Sequence, residues 1–193
     1  MCETPGSRCS SLSRRALSRW MLAVGAGVIG SALGAGGSVR ANTADAVSAA
    51  DLPLPGPMET CPVCGMLVAK YPDWIATVAF ADGTAAHFDG VKDMVKYLQD
   101  MPRYAPKRSP EQVVGLAVTD YYDLARIDPR TALFVVGSDV LGPMGHEPVP
   151  LANDADGQTF LADHAGKALL PFDALTLPMM VKLDDGDFSG LGP

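Results

Sequence analysis

The residues of this chain best suited to chemistry lie in one short motif, Cys61-Pro-Val-Cys64-Gly-Met66. Two thiols separated by two residues can chelate one soft metal ion, and Met66 places a thioether at the same bend. Thiolate and thioether donors favour Cu(I) over harder cations. The motif therefore predicts a Cu(I) site that includes Cys61, Cys64 and Met66.

Three other interpretations of the cysteine pair are open at this point. A redox Cys-x-x-Cys pair normally opens a helix after a strand, whereas this pair follows a Pro-rich stretch and precedes Gly-Met. A structural zinc site needs four ligands, but the chain has no second cysteine pair and its histidines (87, 146 and 164) are scattered. Two inert thiols in a surface turn are the third alternative.

A second candidate element is the loop Gly142-Pro-Met144-Gly-His146-Glu147. A methionine flanked by glycine and proline is not at a helical core position, so two roles are open for Met144: a further thioether ligand or packing. His146 could add an imidazole, although a surface histidine is the simpler interpretation. We expect Met94 and Met179–Met180 to fill the core.

The elements that must position these residues follow two similar plans. In the first, residues 74–81 and 84–88 form a hairpin around Asp82-Gly83, and Asp89 caps a following helix. That helix has one apolar face (Val91, Met94, Val95 and Leu98).

In the second plan, residues 113–119 and 131–136 are predicted strands, and residues 149–151 form a short one. A short helix capped by Asp156 and a strand over 167–172 follow, and a polar tail begins after a turn at Asp173. The repetition predicts an α+β fold of two similar ββα units packed together with small antiparallel sheets.

The N-terminal 41 residues have the layout of an export signal. Arg14-Arg15 precedes an uncharged, Gly-rich run over 20–39, as in twin-arginine signals, and cleavage after Ala41 or Ala46 fits the small-residue rule. A retained membrane anchor is the alternative. We expect a flexible acidic leader over 42–57, a metal-binding domain over 58–177 and a C-terminal tail over 178–193.

Charge and cysteine content exclude two classes of protein. Beyond residue 41 the chain has 10 basic and 21 acidic residues, a net charge of −11, so nucleic-acid binding is not expected. Removal of the signal would leave only Cys61 and Cys64, which cannot staple a disulfide scaffold. Both other cysteines precede the apolar run, so there is no lipobox, and no stable membrane anchor is expected.

These two motifs, with the hairpin and helix after the first, resemble the NosL family of periplasmic copper chaperones that help mature nitrous oxide reductase. The resemblance spans Met58 to about Leu177 and implies a fold of two ββα-type units. It implies that Cys64, Met66 and Met144 hold Cu(I), while Cys61 matches a cysteine present in part of the family. The first motif also resembles the turn that opens YHS-type domains, but those carry cysteines where this chain has Asp89-Gly-Val91.

The resemblance implies a non-enzymatic metallochaperone. It would deliver Cu(I) in the periplasm to apo nitrous oxide reductase, for the catalytic copper–sulfur centre, after receiving it from an unidentified copper donor. The alternative function is a periplasmic thiol-disulfide oxidoreductase that uses Cys61 and Cys64. Copper retention after Cys61→Ser distinguishes the two hypotheses, because a dithiol enzyme loses its activity when either cysteine is replaced.

Overall fold

The computed structural model describes residues 47–191. They form a mixed α+β fold with small antiparallel sheets, as the sequence predicts. The predicted export signal lies outside the described residues. None of the helices in the described part of the chain is long and apolar enough to cross a membrane.

The first sheet has four strands in the order β2-β1-β3-β4. Strands β1 (Ala76–Phe80) and β2 (Ala85–Phe88) form the predicted hairpin, and Gly83 in its turn has φ of 82°. Helix α1 (Val91–Gln99) follows, and a short helix α2 (Met101–Tyr104) precedes β3 (Val113–Thr119) and β4 (Arg126–Ile127).

The second sheet has three strands in the order β8-β5-β9. Strand β5 (Leu133–Val136) is central, between β8 (Val149–Leu151) and β9 (Ala168–Pro171). A two-stranded hairpin of β6 (Leu141–Gly142) and β7 (Gly145–His146) separates β5 from β8. Helix α3 (Asp154–Asp163) connects β8 to β9.

The repeat unit is longer than the ββα unit that the sequence predicts. Strand β3 pairs with β1 in the first sheet and does not begin the second unit. In both sheets the first strand is central, flanked by the second strand and by the strand after the helix. Each unit is therefore ββαβ. Local sequence patterns do not show this pairing. The two apolar runs at 113–119 and 131–136 are separated by a turn at Asp128-Pro129 and so suggest a hairpin, whereas the actual pairing depends on which apolar strand faces are buried together.

Two helix caps also differ from the prediction. Helix α1 begins after Gly90, and Asp89 does not cap it; Asp89 makes a different contact, described below. Helix α3 is capped by Asn153, whose side chain accepts a hydrogen bond from the Asp156 backbone N–H. In α1 the predicted apolar face is confirmed, because Val91, Met94 and Val95 are buried.

Both ends of the domain are more structured than the pattern suggests. Part of the predicted leader folds, with Ala49 and Leu52 buried against Ala79 and Ala117. The predicted polar tail contains helix α4 (Leu177–Asp184), whose Met180 is fully buried and whose surface packs on α1. Packing roles for Met94 and Met180 are thereby confirmed.

Candidate metal centre

The cysteine motif folds as a closed turn between Thr60 and Leu67, which form an antiparallel bridge. The Cys61 N–H donates to the Met66 carbonyl and the Gly65 N–H donates to the Cys61 carbonyl, both at 2.9 Å. Gly65 has φ of 80°, a left-handed conformation that glycine adopts without steric cost. We call residues 60–67 the thiol turn.

Both thiols of the thiol turn face carboxylates from the start of α1. The Cys61 thiol donates to Asp93 Oδ2 at 3.3 Å, and the Cys64 thiol donates to Asp89 Oδ1 at 3.2 Å. One potential ligand atom from each of these four residues lies within 4.8 Å of the others. Two thiols and two carboxyl groups therefore converge on a single point.

Asp89 and Asp93 reach this point because β2 ends and α1 begins there. Asp89 directly follows β2, and Asp93 lies in the first turn of α1. Both carboxylates are buried. Both lie near the N-terminal, positive end of the α1 dipole, and the Lys96 Nζ lies 3.5 Å from Asp93 Oδ1.

Burial raises the pKa of both thiols. Removal from water raises the pKa of Cys61 far above its ordinary value of 9.0, and the charge of Asp93 raises it further. Burial raises the pKa of Cys64 to about 12, with a contribution from the hydrogen bond to Asp89, while a backbone hydrogen bond involving Met66 lowers it. Without a cation the thiols are therefore protonated at neutral pH, and a bound cation must displace their protons.

One oxygen of the cluster is left without a partner. Asp89 Oδ2 is buried and has no hydrogen-bond partner among the described residues. A buried carboxylate oxygen without a hydrogen bond is costly. A metal ion held by the neighbouring thiolates would supply the positive charge that this oxygen lacks, so the donor set fits a bound metal.

Met144 reaches the same region from the second half of the chain. It lies in the two-residue turn of the β6–β7 hairpin, before Gly145 with φ of 85°, and is 40% exposed. Met144, Cys64 and Asp93 line one cavity of about 550 Å³, together with residues of α2 and α4. The structure therefore brings Met144 and Cys64 to a common cavity, although the two residues are 80 positions apart.

Met66 and His146 take other positions. Met66 is half-buried, its backbone carbonyl closes the thiol turn, and it is not among the residues that line the cavity. The His146 ring packs edge-on against Phe188, with the ring centroids 4.7 Å apart. His146 is not part of the cluster formed by the two cysteines and the two aspartates.

Sequence patterns do not assign the two aspartates to the site. They predict Asp89 as a helix cap and give Asp93 no role. One signal was available: Asp93 and Lys92 interrupt an otherwise apolar stretch between Val91 and Met94. Charged residues at the start of an amphipathic helix are ordinarily solvated, so only the fold reveals that these are buried.

Comparisons with known proteins found similarities in sequence and in fold. The NosL family model matches residues 55–180. The described fold is similar to the crystal structure of the copper chaperone NosL from Shewanella denitrificans, at 26% sequence identity and a TM-score of 0.55. The similarity covers 67% of this chain and 98% of that one. A search of curated proteins found no significant match.

Proposed function

Because the chain belongs to the NosL family, we propose that it is a Cu(I)-binding metallochaperone without catalytic activity of its own. The observation that carries this proposal is the convergence of Cys61, Cys64, Asp89 and Asp93 within 4.8 Å. The copper chaperone from Shewanella denitrificans, which has a similar fold, supports the choice of copper. Cu(I) is the cargo of this site.

In the proposed ligand set, the Cys64 thiolate and the Met144 thioether, which come from two residues that line the same cavity, both bind Cu(I). Cys61, which is 1% exposed, adds a second thiolate. Met66 remains a proposed ligand on the strength of its thioether and its place in the motif. Soft sulfur donors of this kind select Cu(I).

Asp89 and Asp93 have a proposed role in releasing the thiol protons. Each carboxylate already accepts the hydrogen bond of one thiol, so it is the nearest base when Cu(I) displaces that proton. Each carboxylate then passes its proton on to solvent, because a carboxylic acid is a far stronger acid than a thiol. Replacing either by asparagine would keep the side-chain shape and remove this base.

The cavity suggests how copper leaves the protein. Cys64 is half-buried and lines an open cavity, so a recipient's ligand can approach the metal there. We propose that the recipient is apo nitrous oxide reductase and the destination its catalytic copper–sulfur centre, with an unidentified protein as copper donor. The net charge of −11 beyond residue 41 would steer the chain towards a basic patch on a partner.

The raised pKa values argue against the alternative, a thiol-disulfide oxidoreductase. A catalytic cysteine needs a lowered pKa because the thiolate is the nucleophile. Here burial raises the pKa of Cys61 and Cys64. The thiol turn is also followed by a three-residue 3-10 turn, Val68–Lys70, and not by an α-helix.

Zinc is the competitor that the structure makes relevant. The cysteines and histidines of the sequence are too few and too scattered for a structural zinc site. In the structure, however, the two aspartates and the two cysteines form a set of four donors. Anaerobic competition titration of the purified protein decides between the metals. We expect tighter binding of Cu(I) than of Zn(II), followed by transfer of copper to apo nitrous oxide reductase. Equal or tighter zinc binding would overturn the proposal.

We also propose periplasmic localisation through the twin-arginine-like signal. Changing Arg14 and Arg15 to lysine should retain the precursor in the cytoplasm, which fractionation and immunoblotting would detect. Normal periplasmic accumulation of the double variant would indicate a different export route.

A further inference from the structure

Lys92, on the first turn of α1, is fully buried, which is rare for a lysine. Its Nζ donates to the Met144 carbonyl oxygen at 2.8 Å. The same Nζ lies 3.1 Å from Asp184 Oδ1 on α4 and 3.7 Å from Glu147 Oε1. One ammonium group therefore connects α1, the turn that bears Met144, and α4.

Glu147 attaches the other end of the hairpin to the same residue. Its Oε2 accepts a hydrogen bond from the Lys92 backbone N–H at 2.9 Å. The fit is close, because a Cβ at Gly90 would lie 2.7 Å from the Glu147 carboxyl carbon. The β6–β7 hairpin thus contacts Lys92 at two points, one at its turn and one just after β7.

The hairpin needs such attachments. Each of its strands has only two residues, and a short isolated hairpin has little stability of its own. If Lys92 served only to neutralise Glu147, its ammonium would be closest to that carboxylate. Its shortest contact is instead with the backbone of Met144, the residue whose side chain lines the cavity beside Cys64.

We propose that Lys92 is a positioning residue that fixes the Met144 thioether relative to the Cys64 thiol and so sets the Cu(I) affinity. This inference rests on the proposed role of Met144 as a Cu(I) ligand. Lys92 and Asp93 are consecutive residues of α1: Asp93 holds the Cys61 thiol, and Lys92 holds the Met144 turn. One helical turn thereby aligns the two halves of the site before copper arrives, which reduces the ordering cost of binding.

The test is a double-mutant cycle in the full-length protein with Lys92→Met and Met144→Ala, measuring Cu(I) affinity anaerobically against a chromogenic chelator. We expect Lys92→Met to weaken Cu(I) binding about tenfold, as loss of a supporting contact does at other metal sites. In the Met144→Ala background it should have no further effect, because there is no thioether left to position. Lys182→Met on α4 is the matched control: it removes an exposed lysine that contacts Ser189, and it should leave the affinity unchanged.

Lys92→Met leaves Glu147 buried without its ammonium partner, which can prevent folding. The variant Lys92→Met with Glu147→Gln removes both charges and provides a second route to the same measurement. A readout independent of copper is the methyl NMR signal of Met144 in the apo-protein. It should become more mobile when Lys92 is replaced, while the signal of Met58, which is 77% exposed, should not change.

Unchanged affinity in the Lys92 variants would overturn the inference. Losses that add in the double variant would also overturn it, because Lys92 would then act through the fold and not through Met144. Failure of the proposed ligand set has a separate signature: Met144→Ala alone would leave the Cu(I) affinity unchanged. In that case Met144 is not a ligand and Lys92 has no ligand to position, so this one variant contradicts both the proposed ligand role of Met144 and the inference about Lys92.

Discussion

The two turns that carry the candidate ligands share a local design. In the thiol turn Cys64 precedes Gly65 with φ of 80°, and in the β6–β7 hairpin Met144 precedes Gly145 with φ of 85°. Antiparallel pairing closes each turn, between Thr60 and Leu67 in one and between Leu141 and His146 in the other. Each turn therefore presents one candidate sulfur ligand directly before a glycine in the left-handed conformation.

The surroundings of the two turns differ. The thiol turn is packed against α1, and its two thiols donate hydrogen bonds to Asp93 and Asp89. The Met144 side chain is 40% exposed, and the Lys92 ammonium holds its backbone. In the proposed copper site, a buried half and a more exposed half therefore meet. We expect the first to determine whether copper binds and the second to determine how tightly.

The largest expected effect is that of Cys64→Ser. Loss of the central thiolate should weaken Cu(I) binding by more than about a hundredfold, since ligand loss exceeds the effect of losing a supporting residue. Cys61→Ser should retain measurable binding, because Cys64 and Met144 remain. Anaerobic chelator competition on both variants measures the difference. Equal loss in the two variants would show that the cysteines act as an equivalent pair.

A strong pH dependence of Cu(I) binding is expected next. Burial raises the pKa of Cys64 to about 12 and that of Cys61 further, so both thiols are protonated in the apo-protein between pH 6 and pH 8. Copper must expel these protons, and the affinity should therefore rise with pH, by about tenfold per pH unit for each thiolate formed.

Two thiolates give about a hundredfold rise per pH unit, and Cys61→Ser should reduce this to about tenfold. Titrations at three pH values in this range would measure both slopes. A slope of one proton in the wild-type protein would remove Cys61 from the ligand set.

Much of the fold and half of the cluster follow from local sequence patterns. The β1–β2 hairpin was predictable because Asp82-Gly83 favours a tight turn, and α1 because its apolar residues recur at helical spacing. The Cys61 and Cys64 pair was recognisable because two soft donors at that spacing can chelate one metal ion. Each of these signals lies within a dozen residues.

The remaining features depend on contacts between distant segments. The pairing of β3 with β1, the packing of α4 on α1 and the burial of Lys92 join residues far apart in the chain. Asp89 has the sequence position of a helix cap, and only the approach of the thiol turn gives it a different partner. Local sequence patterns cannot show such contacts, because the partner of each residue lies in a distant segment of the chain.

A smaller effect, confined to copper binding, is expected for Met144→Ala. Because the side chain is 40% exposed, the apo-protein should keep nearly all of its stability, while Cu(I) affinity falls about tenfold to a hundredfold. Met94→Ala is the matched control: Met94 is fully buried, so its truncation should cost about 2–5 kcal/mol of unfolding free energy. A comparable stability loss for Met144→Ala, with copper binding intact, would show that Met144 is a packing residue.

The smallest effects should come from the two glycines, and they test the comparison most directly. Apart from its chain neighbours, no heavy atom of residues 47–191 would lie within 4 Å of a Cβ at Gly65 or Gly145. Alanine therefore adds conformational strain without a clash, at a cost of about 1–2 kcal/mol. Hydrogen bonds on both sides of Gly65 close the thiol turn, so its backbone has little freedom to relieve the strain. We therefore expect Gly65→Ala to show this full cost in the unfolding free energy of the apo-protein.

Gly145→Ala should divide its effect differently. The more exposed hairpin can shift to relieve the strain, so the apo-protein should lose less stability than with Gly65→Ala, but Met144 would move and Cu(I) affinity would fall several-fold. Asparagine tolerates the left-handed conformation better than alanine, so Gly65→Asn and Gly145→Asn should each recover part of the loss. Chemical denaturation and chelator competition on the four variants separate the two quantities. Equal stability losses and equal copper affinities for the two alanine variants would mean that the turns are equally rigid, and the distinction between a rigid half and an adjustable half would be wrong.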